Sequence, residues 1–251
     1  MSDNPQGVFI DDVEFPFDDS TSILEFSNKS LGEKIIPTLC DDDNLKPYGA
    51  CRVCSVEVQH TEDGPKRTVA SCHTPINPGM RIYTNSDSVK TLRRNIVELV
   101  LSDHPPDCLT CEVNGNCELQ DVAASVGVRK IRYAKGKNHC DREKDLSHAY
   151  MRMDLSKCIN CSRCVRACDE VQGQFTLTMT GRGFESRITT DNDMLFGDSS
   201  CVSCGACAQT CPTSAISDVF QSKSVEADKT VRTTCSYCGV GCNLEVAVKN
   251  D

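Results

Sequence analysis

Apolar residues along this chain fall in short runs whose period shifts between two and three to four. Residues 7–16, GVFIDDVEFP, carry two alternating runs on either side of Asp11-Asp12, a pattern that predicts a β-hairpin. Between Ser20 and Leu31 the apolar positions Ile23, Leu24, Phe26 and Leu31 recur at helical spacing behind a Ser/Thr cap, and Gly32 marks the helix end. CRVCSVEVQH alternates as a strand does, and KRTVASCHT, Pro75, Pro78 and RIYTN close a small mixed domain near residue 85. A second helix from about Ser86 to Leu101 places Val89, Leu92, Ile96, Val97, Leu99 and Val100 on its apolar side. The basic stretch Lys90–Arg94, with its Arg93-Arg94 pair, is expected on the solvated face. Residues 118–150 are polar with some helix. The later insertion QGQFTLTMTGRGFESRITTD predicts a hairpin turning around Gly181 to Gly183.

Composition changes this picture by removing most of the core. The 251 residues include no Trp and 5% aromatics, and the 39% hydrophobic fraction counts every cysteine. Two or three domains of this size would each be too small to be held by burial alone, so folding is expected to couple to bound metal. The formal charge of -9, from 27 basic and 36 acidic residues, argues against a nucleic-acid partner, which needs a concentrated basic surface. The acidic opening MSDNPQGVFIDD has no apolar segment of the signal-peptide kind, and no run is long enough to predict membrane insertion. A reducing, cytoplasmic location is the expectation, and there closely spaced cysteines are metal ligands more often than disulfides.

Of nineteen cysteines, eighteen fall into five ordered groups. Cys40, Cys51, Cys54 and Cys72 follow C-x10-C-x2-C-x17-C: one close pair and two distant singles, the arrangement suited to a 2Fe-2S cluster. Structural zinc, which also takes four thiolates but usually in paired knuckles, is the competing reading. Cys108, Cys111 and Cys117 lack a fourth member, and His104 lies just upstream of the first, with Pro105-Pro106 fixing the turn. A histidine at a helix end is ordinarily a cap suited to the negative end of the dipole. Here it completes a His/Cys3 set for a 4Fe-4S cluster, with an expected rise in potential because imidazole replaces a thiolate.

Two runs, Cys158, Cys161, Cys164, Cys168 and Cys201, Cys204, Cys207, Cys211, each read C-x2-C-x2-C-x3-C. In two-cluster ferredoxins the fourth cysteine of each run serves the other cluster. That assigns Cys158, Cys161, Cys164 and Cys211 to one 4Fe-4S cluster, and Cys168, Cys201, Cys204 and Cys207 to another. Pro212 follows Cys211 as the motif requires, whereas Asp169 stands where the first run would have proline, a departure expected to alter the local helix rather than ligation. Cys235, Cys238 and Cys242, in TTCSYCGVGCNLEVAV, form a partial 4Fe-4S set whose fourth ligand would come from outside this chain; an empty motif is the alternative. Cys140, His139, His60, His73 and His148 have no partner at ligand spacing, and Asp41-Asp42-Asp43 is expected to be a solvated turn. No nucleotide loop and no nucleophile–base set is present, so no catalytic residue is assigned.

This order of groups resembles the N-terminal iron-sulfur region of the complex I large subunit and the electron-transfer subunit of NAD-reducing hydrogenases. The tail VRTTCSYCGVGCNLEV is similar to the opening of a molybdenum- or tungsten-bis-pterin oxidoreductase domain, as in the alpha subunit of NAD-dependent formate dehydrogenases. The resemblance implies an α+β chain in five parts: a 2Fe-2S ferredoxin-type β-grasp domain (1–85), a small helical His-ligated 4Fe-4S domain (86–125), a linker (126–150), a bacterial-type double 4Fe-4S ferredoxin (151–228) and the start of a pterin-metal domain (229–251). It also implies one 2Fe-2S and three 4Fe-4S clusters, a molybdenum or tungsten bis-pterin in a catalytic half or partner chain, and diaphorase-type partners carrying FMN, NAD and iron-sulfur.

Overall fold

The computed structural model describes residues 7–61, 64–134, 142–220 and 227–250. Its first unit is a five-stranded sheet of order β2-β1-β5-β3-β4, built from β1 (Val8–Ile10), β2 (Val13–Phe15), β3 (Ser55–Gln59), β4 (Arg67–Ala70) and β5 (Arg81–Tyr83). The expected first hairpin is present. Asp11 and Asp12 both have positive φ, 46° and 69°, as a two-residue turn matched to strand twist requires. The backbone N–H of Thr84 donates to Asp11 Oδ1 at 2.8 Å, tying the turn to the end of β5, which runs parallel to β1. Helix α1 (Ile23–Leu31) is capped by Ser22, whose hydroxyl accepts from Glu25 N, while Glu25 accepts from Thr21 N at 2.7 Å. Gly32, at φ 69°, ends it. Phe26, Ile23, Val56 and Ile82 are fully buried between α1 and the sheet.

Helix α2 (Asp87–Asp103), capped by Ser86, leaves the sheet and ends at His104. Its buried face corrects the sequence expectation. Arg93 and Glu98 are buried with Val89 and Val97, whereas Leu99 is half exposed. The i, i+4 row 89–93–97 runs along the domain joint. Arg93 is buried there because its Nε and Nη2 donate to the Ser55 carbonyl at 3.0 and 2.7 Å; Glu98 accepts from Arg132 Nε at 2.7 Å. Helix α3 (Glu118–Ser125) packs on α2 around Leu119, Val122, Val97 and Leu39.

The last compact unit joins β6 (Met151–Met153) to β9 (Ile216–Asp218) in an antiparallel pair, a closure by the two ends of the segment. Between them lie helix α4 (Arg163–Arg166), which continues as a π turn over Ala167–Val171, the hairpin β7 (Leu177–Thr180) with β8 (Arg187–Thr190), and helix α5 (Ala206–Gln209). The chain thus stays helical past Cys168, where proline would have interfered. Gly181 begins the β7–β8 turn as expected; any Cβ there would lie 2.2 Å from the Glu185 carbonyl oxygen. Strands β10 (Lys229–Thr234) and β11 (Asn243–Val248) form a hairpin exposed along nearly its whole length. Among the described residues no helix is long and apolar enough to cross a membrane.

Candidate iron-sulfur sites

The first cysteine group gathers on one side of the sheet. Cys51 and Cys54 flank a tight loop, made possible by the positive φ of Arg52 (60°), that runs straight into β3, and Cys72 sits in the turn after β4. Cys40, Cys54 and Cys72 are buried and Cys51 is half-buried. The four sulfurs fall into two pairs: Cys51 N donates to Cys40 Sγ at 3.4 Å, and Cys54 Sγ lies 3.4 Å from Cys72 Sγ. Within each pair the shared hydrogen bond splits the thiols. It holds Cys51 down to about 6 and Cys54 to about 7, and pushes Cys40 and Cys72 up. Two pairs of thiols, each pair able to grip one iron, fit a 2Fe-2S rhomb. Loading the site must expel the protons that the raised thiols retain.

His104 caps the C-terminus of α2, so the helix itself aims the ring. Its side chain lines a cavity of about 370 Å³ together with Cys108, Cys111 and Cys117. The His104 Nδ1 atom is buried without a hydrogen-bond partner, and burial lowers the imidazole's pKa. Burying an unpaired ring nitrogen costs free energy unless something takes its lone pair or proton. A neutral imidazole facing three cysteines is the donor set that a cluster or metal would satisfy. Cys117 forms the N-cap of α3, and burial raises its thiol.

The two ferredoxin runs have the same local backbone. Asn160 and Ser162 have φ of 51° and 61°, and their counterparts Ser203 and Gly205 have 61° and 77°. These left-handed residues turn the amides inward. Asn160 N donates to Cys158 Sγ and Ser203 N to Cys201 Sγ, both at 3.4 Å. One cavity is lined by Cys158, Cys161, Cys164 and Cys211; another by Cys168, Cys201, Cys204 and Cys207. Each crossed set expected from the spacing thus lines a single cavity. Burial pushes Cys161 and Cys207 up to about 12 and also raises Cys164, so free thiolates are disfavoured unless a cation compensates them. Among the described residues no three His, Cys, Asp or Glu side chains stand close enough to share one metal ion.

The partial set sits at the exposed end of the β10–β11 hairpin, where Cys235 N donates to the Cys242 carbonyl at 2.8 Å and Cys238 is exposed. Cys140 and His139 lie outside the described residues. His148 is buried, its Nδ1 accepting from Tyr150 N and Met151 N at 3.1 Å and its Nε2 against Ser203 Oγ, so it props the Cys201 loop. Asp42 corrects the expectation of a solvated turn. It is half-buried and accepts from Thr210 Oγ1 at 2.7 Å, because the ferredoxin unit packs against this turn and supplies it with a donor. Sequence reasoning missed Arg163 and Arg166, both buried on α4 either side of Cys164. Their i, i+3 spacing around a ligand cysteine was the only available signal.

Comparison with known proteins follows the same order along the chain. Residues 7–87 match the 2Fe-2S iron-sulfur cluster binding domain, 93–132 the NADH-ubiquinone oxidoreductase-G iron-sulfur binding region, 157–215 the 4Fe-4S dicluster domain, and 228–251 the molybdopterin oxidoreductase Fe4S4 domain. A chain of the NAD+-reducing [NiFe]-hydrogenase, solved in the H2-reduced state, superimposes with a TM-score of 0.78 at 28% identity, covering 89% of this chain and 92% of that one. Along its length this chain is similar to iron-sulfur subunits of NADH- and NADP-linked oxidoreductases. It is 41% identical over 187 residues to the NADP-reducing hydrogenase subunit HndD of Solidesulfovibrio fructosivorans, covering 72% of this chain and 31% of that protein. It is 34% identical over 242 residues to NADH-quinone oxidoreductase subunit 3 of Thermus thermophilus, covering 83% and 30%. A provisionally named formate dehydrogenase of Staphylococcus haemolyticus is 28% identical, covering 97% of this chain and 28% of its own length. This iron-sulfur unit thus spans less than a third of the length of each of these curated relatives.

Proposed function

We propose that this chain is the electron-relay part of an NAD-linked formate dehydrogenase, carrying electrons between a pterin–metal site that oxidises formate and a flavin-bearing partner that reduces NAD. The observation that carries the reading is that three of the predicted ligand sets each line one cavity, while the first group falls into two close pairs. One of the three is His104 with three cysteines; another is the crossed set in which Cys211 joins Cys158, Cys161 and Cys164. Bound there, 2Fe-2S and 4Fe-4S clusters would supply one-electron transfer at tuned potentials. The protein's own residues do the rest. Helix α2 presents His104, the left-handed residues at 160 and 203 aim amides at Cys158 and Cys201, and buried Leu177, Ile188, Phe196 and Ile216 keep water from the ferredoxin sites.

Formate is favoured over hydrogen by the tail. Cys235, Cys238 and Cys242 continue the relay into a molybdopterin-type domain, and the formate-dehydrogenase-named relative aligns over 97% of this chain. A relay subunit of a hydrogenase or complex-I-like enzyme is the second reading, supported by the 41% identity to the hydrogenase subunit. Purification of the complex containing this chain, followed by NAD reduction assays, separates them. Formate-dependent reduction is expected. Hydrogen-dependent reduction without formate activity would give the second reading.

A further inference from the structure

Helix α4 carries Cys164 and reaches, with its two arginines, into both neighbouring units. Arg163 is neutralised: its two terminal nitrogens meet Glu118, next to Cys117, at 2.7 Å each. Arg166 is not. It is buried, its Nη2 donates to the Cys40 carbonyl, its Nη1 donates to the Lys46 carbonyl at 2.6 Å, and its guanidinium lies 5.0 Å from the Tyr48 ring. Its Nε has no partner, and among the described residues it forms no ion pair. Asp41, next to Cys40, interacts with both arginines through space but forms no ion pair with either among the described residues. One turn further along the same helical segment, Glu170 accepts from Lys46 N at 2.7 Å and so clamps the same loop.

A permanently cationic side chain buried without a paired anion is costly unless negative charge lies nearby. The sulfur-ligated centres provide it, since a cluster held by four thiolates is anionic. We infer that Arg166 is a positioning residue for electron transfer: it fastens the Cys40 loop to the helix bearing Cys164 and holds a positive charge against the 2Fe-2S centre, raising that centre's reduction potential. The covalent run Cys164–Val165–Arg166, followed by the hydrogen bond to the Cys40 carbonyl, also links the two ligand sets through bonds rather than through space. This inference rests on the cluster assignments proposed above.

The test uses the anaerobically purified, cluster-loaded chain with Arg166→Gln and Arg166→Lys. The readouts are iron and sulfide content and the 2Fe-2S midpoint potential, followed by EPR. Loss of the charge in Arg166→Gln is expected to disfavour reduction at least tenfold, a fall of about 59 mV for one electron, with iron content kept. Arg166→Lys keeps the charge without the two-carbonyl fork, and should stay within about threefold of wild type, under about 30 mV by the same constant. An unmoved potential in Arg166→Gln, an equal shift in both variants, or loss of the 2Fe-2S signal from the lysine variant would overturn the inference. Wild-type protein without inorganic sulfide would instead overturn the cluster assignments on which it rests.

Discussion

At the scale of single residues, the sharpest claim concerns His104. Its ring is aimed by a helix end, its Nδ1 is buried without a partner, and it shares a cavity with three cysteines. Replacing it with cysteine should keep a cluster and lower its potential, because thiolate adds negative charge where imidazole adds none. A redox titration showing full iron content and an unmoved potential would show that the histidine is not a ligand. Arg93 makes a second, purely structural case. Arg93→Ala leaves the buried Ser55 carbonyl without its two donors, and should cost about 1–3 kcal/mol in denaturant unfolding of the 2Fe-2S domain. Removing the exposed Lys34–Asp43 pair, by contrast, should cost under about 1 kcal/mol. Equal effects would mean that Arg93 is not the joint described here. The ligand cysteines could be read from spacing because cluster geometry dictates spacing. The burial of Arg93 could not, since nothing local distinguishes it from a solvated cation until the neighbouring domain supplies the carbonyl, and for Arg166 the only hint was its spacing from Cys164.

At the scale of elements, the β7–β8 hairpin offers a paired comparison. Gly181 has φ 77° and no room for a Cβ, whereas Gly183 has φ 54° and open space around it. Gly181→Ala should therefore destabilise the ferredoxin unit by more than the roughly 1–2 kcal/mol cost of a left-handed alanine, and Gly183→Ala by no more than that; thermal melts of both variants check the order. The same hairpin carries an acid-sensitive link. Hydrogen bonds from Arg187, then Thr189, hold the Asp193 carboxyl down to about 2. A carboxylate with a depressed folded pKa contributes stability above its unfolded value near 4 and loses it as the pH falls from about 4 towards 2. Asp193 is largely exposed, so solvent screening keeps the effect under about 1 kcal/mol. Amide exchange in residues 187–190 should show this acid sensitivity in wild type and lose it in Asp193→Asn. The elements themselves were largely legible: the Asp11-Asp12 turn, Ser22 and Ser86 as caps, Gly32 as a stop and the 177–190 hairpin all follow local rules. The burial of Glu98 and the exposure of Leu99 did not, because both depend on α3 and the Arg132 segment packing against α2.

At the scale of the whole molecule, three small units are joined by polar contacts and by an apolar cluster that sets Leu39 and Val53 of the first unit against Val97, Val113 and Leu119. Arg163 meets Glu118, Arg166 meets the Cys40 loop, and Thr210 meets Asp42. Each apolar cluster is built around cysteines that would otherwise be buried thiols. Such an arrangement makes sense for a chain whose rigidity serves fixed spacing between redox centres. The most direct measurement of that claim is the iron and acid-labile sulfide content of anaerobically purified protein. The four complete ligand sets predict about 14 iron atoms and a similar amount of sulfide per chain, with visible absorption that dithionite bleaches. Stoichiometric zinc with negligible inorganic sulfide would contradict the account.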